Sequence, residues 1–337
     1  MHRHPIYRLP RYTVQRVSSA LSETIDWGLR AYGIPEHWQR TRGEGVRVAV
    51  LDTGIDAAHR DLADSIDDVA DFTGSRFRSD DRQGHGTHCA GIIAARQNNI
   101  GVVGVAPQAR IYAGKVLDDS GNGLGDWIEA GLRWAAERGC QIISMSLGAP
   151  EPDERIGRGI EYATSRGSLV IAAAGNSGRA NDVNFPARWK GRPNAQRDTI
   201  AVAAVDHAGR VAQFSSRGPE IDIAAPGVDI TSTYKHGRYA RLSGTSMATP
   251  FVAGVVALLL PIRGIRDIAD LRRTLSRHAR DAGEPGVDPA YGFGLIDPAT
   301  MLAPVPEPTP LQKPLLNLFG AKVYAPARQG DWISVGS

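Results

Sequence analysis

The chain has 337 residues, of which 42% are apolar and 22% charged, a composition that excludes a mainly disordered or collagen-like protein. The 39 lysines and arginines nearly balance the 36 aspartates and glutamates, so no field of one sign is available to bind nucleic acid. Two cysteines, Cys89 and Cys140, cannot build a disulfide framework. The longest apolar run, Phe251 to Leu260, is about half of the roughly 20 residues that a membrane-spanning helix needs, so no span is predicted.

The chain divides into three parts by composition. Residues 1–22 form a basic N-terminal extension with no apolar stretch after it, so no secretory signal is visible. We therefore expect a cytoplasmic protein, or a secreted one if a leader is absent from this chain. Residues 23–300 form the predicted folded body, and residues 301–337 a tail that starts with a stiff, proline-rich linker at 304–310.

Short apolar runs alternate with segments of helical period through the body, which predicts an α/β fold with a parallel sheet. The strands read apolar at nearly every position, as strands covered on both faces should. The predicted strands are Val46 to Leu51, Arg110 to Leu117, Gln141 to Leu147, Leu169 to Ala174 and Thr199 to Val205. The predicted helices are His85 to Ala95, Leu124 to Arg138, Glu154 to Arg166 and Ser246 to about Leu260.

Three of these elements carry a group with chemical potential at one end. Asp52 follows a buried strand, where open α/β sheets gather functional groups, and His85 opens a helix between glycines. Ser246 lies in the first turn of an apolar helix, with Pro250 near the end of that turn. A serine is a weak nucleophile unless a base takes its proton and a carboxylate holds that base, so the three together predict a nucleophilic triad.

Each group alone has a simpler explanation. Asp52 is typical of an Asx-turn, and Ser246 is a typical helix cap. His85 and His88 are spaced like two metal ligands, but no third ligand stands at metal spacing and no His-Glu-x-x-His motif exists. The conjunction of the three segments is what favours the triad.

At this point the chain resembles the subtilisin-like serine proteases, with features of both intracellular subtilisins and proteinase K. Three motifs carry the resemblance over roughly Glu23 to Asp297: Val-Leu-Asp-Thr-Gly, Gly-His-Gly-Thr-His-Cys-Ala-Gly and Gly-Thr-Ser-Met-Ala-Thr-Pro, in the chain order Asp, His, Ser. The resemblance implies a doubly wound, mostly parallel seven-stranded sheet with helices on both faces. It also implies a serine endopeptidase that acts on polypeptide substrates through an acyl-enzyme.

The resemblance assigns roles to four residues. Ser246 attacks the scissile carbonyl, His85 accepts and returns the proton, and Asp52 holds the imidazole. Asn176, in Ala-Ala-Ala-Gly-Asn-Ser-Gly, resembles the family asparagine that donates to the oxyanion. Cys89, four residues past His85, is expected to be a free buried thiol.

Two segments, Gly121-Asn122-Gly123 and Ser146-Leu147-Gly148, resemble the edges between which the family binds an extended peptide. Ser146 to Gly148, with Ala173 and Ala174, resembles the walls of the pocket for P1, the residue before the scissile bond, and Asn184 lies at its floor. Small uncharged walls predict large apolar P1 side chains. Gly125 stands where the family often carries an aromatic residue, which predicts a roomier P4 pocket.

The resemblance further implies a structural Ca²⁺ site. Asp61 and Glu23 align with side-chain ligands, Asn98 offers a side-chain oxygen, and the remaining ligands are the carbonyls of Arg96, Ile100 and Val102. An ordinary glycine-turn connection is the alternative for this loop.

The N-terminal extension has a faint likeness to that of intracellular subtilisins at Ile6-Tyr-Arg-Leu-Pro10. We therefore expect residues 1 to about 18 to inhibit the enzyme and to be removed by self-cleavage. Two other functions keep the same fold: an inactive binding or maturation module, and a specialised processing protease or peptide ligase.

Overall fold

The computed structural model describes residues 5–18, 22–190, 198–304, 315–316 and 322–323. The chain divides into a body, Met1–Leu302, and a C-terminal unit, Ala303–Ser337. In the second unit, Leu315–Leu316 pairs antiparallel with Lys322–Val323. Most of the predicted linker and tail lies outside the described residues.

The described strands are numbered in chain order. They are β1 (Tyr7–Arg8), β2 (Thr13–Ser18), β3 (Arg47–Asp52), β4 (Ile66–Asp71), β5 (Arg110–Lys115), β6 (Asn122–Gly123), β7 (Ile142–Met145), β8 (Leu169–Ala173), β9 (Thr199–Val205), β10 (Ile223–Pro226), β11 (Ile230–Tyr234), β12 (Arg238–Ser243), β13 (Leu315–Leu316) and β14 (Lys322–Val323). The described helices are α1 (Trp27–Ala31), α2 (Ile34–His37), α3 (His85–Ala94), α4 (Gly125–Glu137), α5 (Glu154–Ser165), α6 (Thr245–Leu259), α7 (Ile268–His278) and α8 (Pro298–Met301).

A seven-stranded sheet organises the body, in the order β10-β9-β8-β7-β3-β5-β4, and its six pairings are all parallel. This confirms the predicted fold class, and the five predicted strands lie within two residues of the observed ones. The chain leaves β3 toward β4 and β5 on one side and continues through β7 on the other. Asp52 ends β3 and therefore lies at a topological switch point, the place where open α/β sheets bind ligands.

The sheet separates two hydrophobic cores because successive side chains of a strand point to opposite faces. Val48 and Val50 of β3 belong to one core, which also holds α3 and α6, while Ala49 and Leu51 belong to the other, which holds α4 and α5. Every residue of α6 is buried, as expected for a helix that is apolar on all sides. Helices thus cover both faces of the sheet, and the starts of α3 and α6, which carry His85 and Ser246, are both buried.

A second, three-stranded sheet has the order β11-β12-β2 and is antiparallel throughout. The two N-terminal strands join different parts of the body: β1 pairs with β6, and β2 pairs with β12. Within the described residues, no helix is long and apolar enough to cross a membrane.

Candidate active site

Asp52 and His85 meet at the centre of the body. The His85 Nδ1 atom lies 2.8 Å from Asp52 Oδ1, and both residues are buried. Gly86 makes this contact possible, because a Cβ atom there would lie 2.2 Å from the carbonyl oxygen of Gly54. The start of α3 therefore packs directly on the loop after β3, and this packing brings the imidazole to the carboxylate.

Asp81, to which no sequence motif pointed, has a buried carboxylate that joins these two segments. Its Oδ1 accepts hydrogen bonds from Thr53 Oγ1 at 2.8 Å and from the Gly84 amide at 2.7 Å, and its Oδ2 accepts from the Thr87 amide at 2.8 Å and hydroxyl at 2.7 Å. The Asp81 side chain thus serves as a cap for α3 and ties it to the residue after Asp52. The sequence signal was an acidic residue four positions before His85.

His85 and His88, both buried, have opposite protonation tendencies. Burial acts to lower the pKa of His85, but the neighbouring Asp52 carboxylate outweighs it and raises that pKa well above 6.5. Burial lowers the pKa of His88 to about 3, so His88 is neutral. Its Nε2 lies 3.1 Å from the Ile230 carbonyl and 3.0 Å from the Ala240 carbonyl. These contacts make His88 a packing residue that ties α3 to β11 and β12.

Ser246 is the second residue of α6 and is fully buried. Its Oγ lies 3.5 Å from the Ser146 carbonyl, and among the described residues His85 Nε2 has no hydrogen-bond partner. The Ser246 hydroxyl is therefore not hydrogen-bonded to the imidazole in this conformation.

Pro250 is the sixth residue of α6, beyond the first turn where we expected it, and has no N–H to donate to the Ser246 carbonyl. Two side chains take the place of that donor: Ser146 Oγ at 2.9 Å and Cys89 Sγ at 3.4 Å. Burial raises the pKa of the Cys89 thiol, so it is neutral and able to donate. Both cysteines are free and buried, as predicted for Cys89.

Asn176 presents its amide nitrogen to the cleft. Its Oδ1 accepts from the Thr245 amide at 2.9 Å and from the Thr245 hydroxyl at 2.8 Å, which directs Nδ2 outward. That Nδ2 donates to the carbonyl of Arg11 at 2.8 Å. Thr245, which the sequence analysis did not single out, therefore fixes the orientation of the donor.

The N-terminal segment lies in the cleft between the two predicted peptide-binding edges. Tyr7 and Arg8 pair with Gly123 and Asn122, and Leu9 donates its N–H to the Gly121 carbonyl at 3.1 Å. On the other edge, Arg8 and Gly148 exchange backbone hydrogen bonds of 3.1 and 3.0 Å. Further along the segment, the Tyr12 ring packs on His85 with 4.9 Å between ring centroids.

The residues predicted to form the P1 pocket lie around the peptide-binding edge at Ser146–Gly148. Asn184 lies beside Gly148, since a Cβ atom at Gly148 would be 2.9 Å from the Asn184 Cβ. The backbone N–H of Asn184 donates to the Ala174 carbonyl at 2.9 Å. Ala173 is buried beside Ala174. Leu147 and Ala174 belong to the same hydrophobic cluster as Tyr7.

The expectation of a roomier P4 pocket at Gly125 is wrong. A Cβ atom on Gly125 would lie 2.3 Å from Asp153 Oδ2 and 2.7 Å from Arg155 Nε. An ion pair between these two side chains, with 2.7 Å between Arg155 Nη2 and Asp153 Oδ2, fills the space that the missing side chain leaves.

The six predicted calcium ligands belong to one region, in which two carboxylates face a loop. Glu23 Oε2 accepts a hydrogen bond from the backbone N–H of Asn98 at 2.8 Å. The buried Asp61 Oδ2 accepts one from the backbone N–H of Val102 at 2.9 Å. The Asn98 side chain lies between them, with Nδ2 3.3 Å from Asp61 Oδ1 and Oδ1 3.2 Å from the Ile100 amide. Arg96 donates its amide to the Asp61 carbonyl at 2.8 Å.

A carboxylate-bound imidazole, a serine at a helix start and an amide donor facing a peptide carbonyl are the parts of a serine hydrolase site. Comparison with known proteins agrees: residues 43–294 match the model of the subtilase family of peptidases. The chain belongs to this family and is a serine-type endopeptidase.

Named relatives are alkaline proteases and subtilisins. The chain is 44% identical to a thermostable alkaline protease of Halalkalibacterium halodurans, over 82% of this chain and 73% of the relative. It is 42% identical to subtilisin Savinase of Lederbergia lenta, over 82% of this chain and 98% of the relative. It is 41% identical to subtilisin E of Bacillus subtilis, over 83% of this chain and 72% of the relative.

Proposed function

We propose that Ser246, His85 and Asp52 are the catalytic residues of this endopeptidase and that Asn176 stabilises the oxyanion. The 2.8 Å contact between His85 Nδ1 and Asp52 Oδ1 carries the proposal, because it leaves Nε2 as the imidazole atom that accepts the Ser246 proton. His85 then returns that proton to the leaving amine, and water releases the acyl group from Ser246 Oγ by the reverse sequence.

A fluorophosphonate probe tests these roles, since it labels only an activated serine. We expect labelling at Ser246 in wild-type enzyme freed of residues 1–18, and none in Ser246→Ala or His85→Ala freed of the same residues. Ser165→Ala, which changes an exposed serine at the end of α5, is the control and should label normally. Labelling at another serine, or none in an enzyme that digests unfolded protein, would contradict the assignment. An inactive binding module would neither label nor digest.

We propose a preference for large apolar side chains at P1, in a pocket bounded by Gly148, Ala173 and Asn184. The support is the apolar character of this region and the absence of a charged side chain among the predicted wall residues. A peptide library should show this preference, and a sharp preference for Asp or Arg would contradict it.

We propose that the N-terminal segment inhibits the enzyme until it is cut. Tyr7 anchors it with a side chain only 1% exposed, and Tyr12 covers His85. The segment binds as a substrate would, main chain to main chain, and its Arg11 carbonyl occupies the Asn176 donor. The Arg11 side chain is exposed and fills no P1 pocket, so the segment is a poor substrate in its own site.

Intact-mass analysis over time tests the removal step. Wild-type protein should lose residues 1 to about 18, with activity rising in parallel, while Ser246→Ala keeps its N-terminus. Addition of active enzyme to the Ser246→Ala chain separates cutting within one molecule from cutting between molecules. An equally stable N-terminus in both proteins would refute self-cleavage.

We also propose that the loop at residues 98–102 binds Ca²⁺ with Glu23 and Asp61. Ca²⁺ prefers hard oxygen ligands, and the residues at this loop offer two carboxylates, a side-chain amide oxygen and backbone carbonyls. The Asn98 amide would have to turn over to direct its oxygen inward. The ion would fix the loop and Glu23 to each other and takes no part in the reaction.

Thermal unfolding of the full-length Ser246→Ala protein tests the calcium proposal without self-digestion. Free Ca²⁺ about a hundredfold above its dissociation constant should raise the melting temperature by about 4 °C over EDTA. Asp61→Asn should abolish the rise, whereas Asp64→Asn, an exposed neighbour, should keep it. An unchanged melting temperature in EDTA would refute the site.

A further inference from the structure

Among the described residues, the N-terminal segment is what covers the outer edge of β12. Strand β2 pairs antiparallel with β12 from Ser243, opposite Thr13, to Tyr239, opposite Ser18. Strand β11 occupies the other side of β12, so removal of β2 turns β12 from a central strand into an edge. An edge of this kind presents unpaired N–H and C=O groups to any extended chain that reaches it.

This edge continues directly from the catalytic groups. Ser243 ends β12 only three residues before Ser246, and Asn176 holds the Arg11 carbonyl two residues before β2 begins. Taking that carbonyl as the position of a scissile carbonyl, Thr13 is the second residue after the bond and Ser18 the seventh. A bulge at Gln15 shifts the register once along the way.

Main-chain pairing joins β2 to β12, and the Gln15 side chain adds hydrogen bonds to Asp229 and to the Ser243 hydroxyl. Five of the six β2 residues are exposed, and the Val14 and Val17 side chains are 45% and 40% exposed. A strand that buries so little side-chain surface is held mainly by its backbone, and recognition of that kind accepts many sequences.

One position has a charge preference. Arg16, the fifth residue after the presented carbonyl, lies directly opposite Arg241 of β12, and both are exposed. Like charges that face each other across antiparallel strands weaken the pairing. An acidic residue at this position would pair with Arg241 more favourably than the protein's own Arg16 does.

We infer that β12 is a substrate-binding edge that pairs with residues two to seven after the scissile bond and favours an acidic residue at the fifth. This inference rests on the proposed function, and it makes extended, unfolded polypeptides the preferred substrates. The inhibitory segment occupies the same edge with a repulsive residue at the position of preference, so a substrate displaces it more easily.

The test uses enzyme freed of β2. A site for a sequence-specific protease, placed at residues 19–21 of the full-length chain, allows the folded protein to be cut there whether or not it cuts itself. Gel filtration then removes the fragment. The substrates are peptides of identical sequence before the scissile bond, with two, four or seven residues after it, and a chromogenic peptide anilide that has no residue after it.

We expect kcat/KM to rise about tenfold from two to seven residues, mainly through KM, from the few added backbone hydrogen bonds. N-methylation of successive residues five to seven should weaken cleavage at alternate positions, as antiparallel pairing requires. At the fifth position Glu should exceed Arg by about threefold at low salt, and Arg241→Glu should reverse this order. Arg238→Glu, an exposed residue at the far end of β12, is the matched control.

The outcomes separate the inference from the function on which it rests. Cleavage of the anilide with no dependence on peptide length refutes the β12 edge and leaves the protease intact. A failure to cleave the anilide and every peptide refutes the proposed catalytic residues. Length dependence without alternation under N-methylation refutes strand pairing in favour of side-chain contacts.

Discussion

Tyr7 provides the most direct test of latency, because its ring is the most deeply buried part of the inhibitory segment. The side chain is 1% exposed, packs in the cluster beneath β6, and donates from its hydroxyl to the Glu151 carbonyl at 3.3 Å. Burial of a large apolar side chain contributes about 2–3 kcal/mol relative to exposure. Since 1.4 kcal/mol is a factor of ten, Tyr7→Ala should raise the open fraction of the full-length enzyme about 30- to 150-fold.

The assay is the initial rate of chromogenic peptide hydrolysis by freshly purified full-length protein, before processing. Processing removes the mutated residue, so the fully processed enzymes have the same sequence and provide the reference rate for each preparation. Ile6→Ala is the matched control, because the adjacent Ile6 side chain is 46% exposed and should change latency little. Equal initial rates for Tyr7→Ala and wild type, at equal processed activity, would refute the anchoring role.

Three further predictions concern the catalytic centre. Asn176→Ala should lower kcat far more than it raises KM, by the about hundredfold or more that loss of such a donor costs in subtilisin, a family member; the opposite pattern would remove Asn176 from the oxyanion site. In full-length Ser246→Ala protein, NMR of the imidazoles should show His85 titrating above pH 6.5 and His88 near pH 3. Because the pKa of His85 is higher in the folded than in the unfolded protein, its contribution to stability is fully present below pH 6.5 and is lost as pH rises through the folded pKa. A difference in unfolding free energy between the wild-type and Asp52→Asn backgrounds that does not change with pH would contradict this. Asp81→Asn turns a donor toward the Thr87 amide, which should cost about 1–3 kcal/mol of stability and lower kcat with little change in KM, while Asp80→Asn, half exposed, should leave both unchanged.

The sequence predicted the elements that are apolar along their whole length. Thr199–Val205 was predicted with the observed bounds, because a strand buried on both faces is apolar at nearly every position and can be identified from its own residues. Strand β4, Ile-Asp-Asp-Val-Ala-Asp, escaped prediction because it is an edge strand with three acidic residues. The polar hairpin of β11 and β12 escaped it too.

Long-range pairing accounts for most of what the sequence did not reveal about the site. The motifs around Asp52, His85 and Ser246 predicted which groups would meet. Nothing local in Thr13–Ser18 indicates pairing with a strand more than two hundred residues away, and nothing near Pro250 indicates that Ser146 and Cys89 satisfy the Ser246 carbonyl. Such contacts depend on tertiary packing, which a single sequence does not display.

The division of the N-terminal segment between two separate sheets determines what one cut accomplishes. Before cleavage, each strand keeps the other at a high effective concentration, because a few residues of chain join them. After a cut beyond Ser18, both strands belong to one free peptide that diffuses away and is diluted, and it cannot return at its former concentration. Activation would then require a single cleavage of the chain. Dilution of the released peptide, and not further digestion, would keep the cleft open.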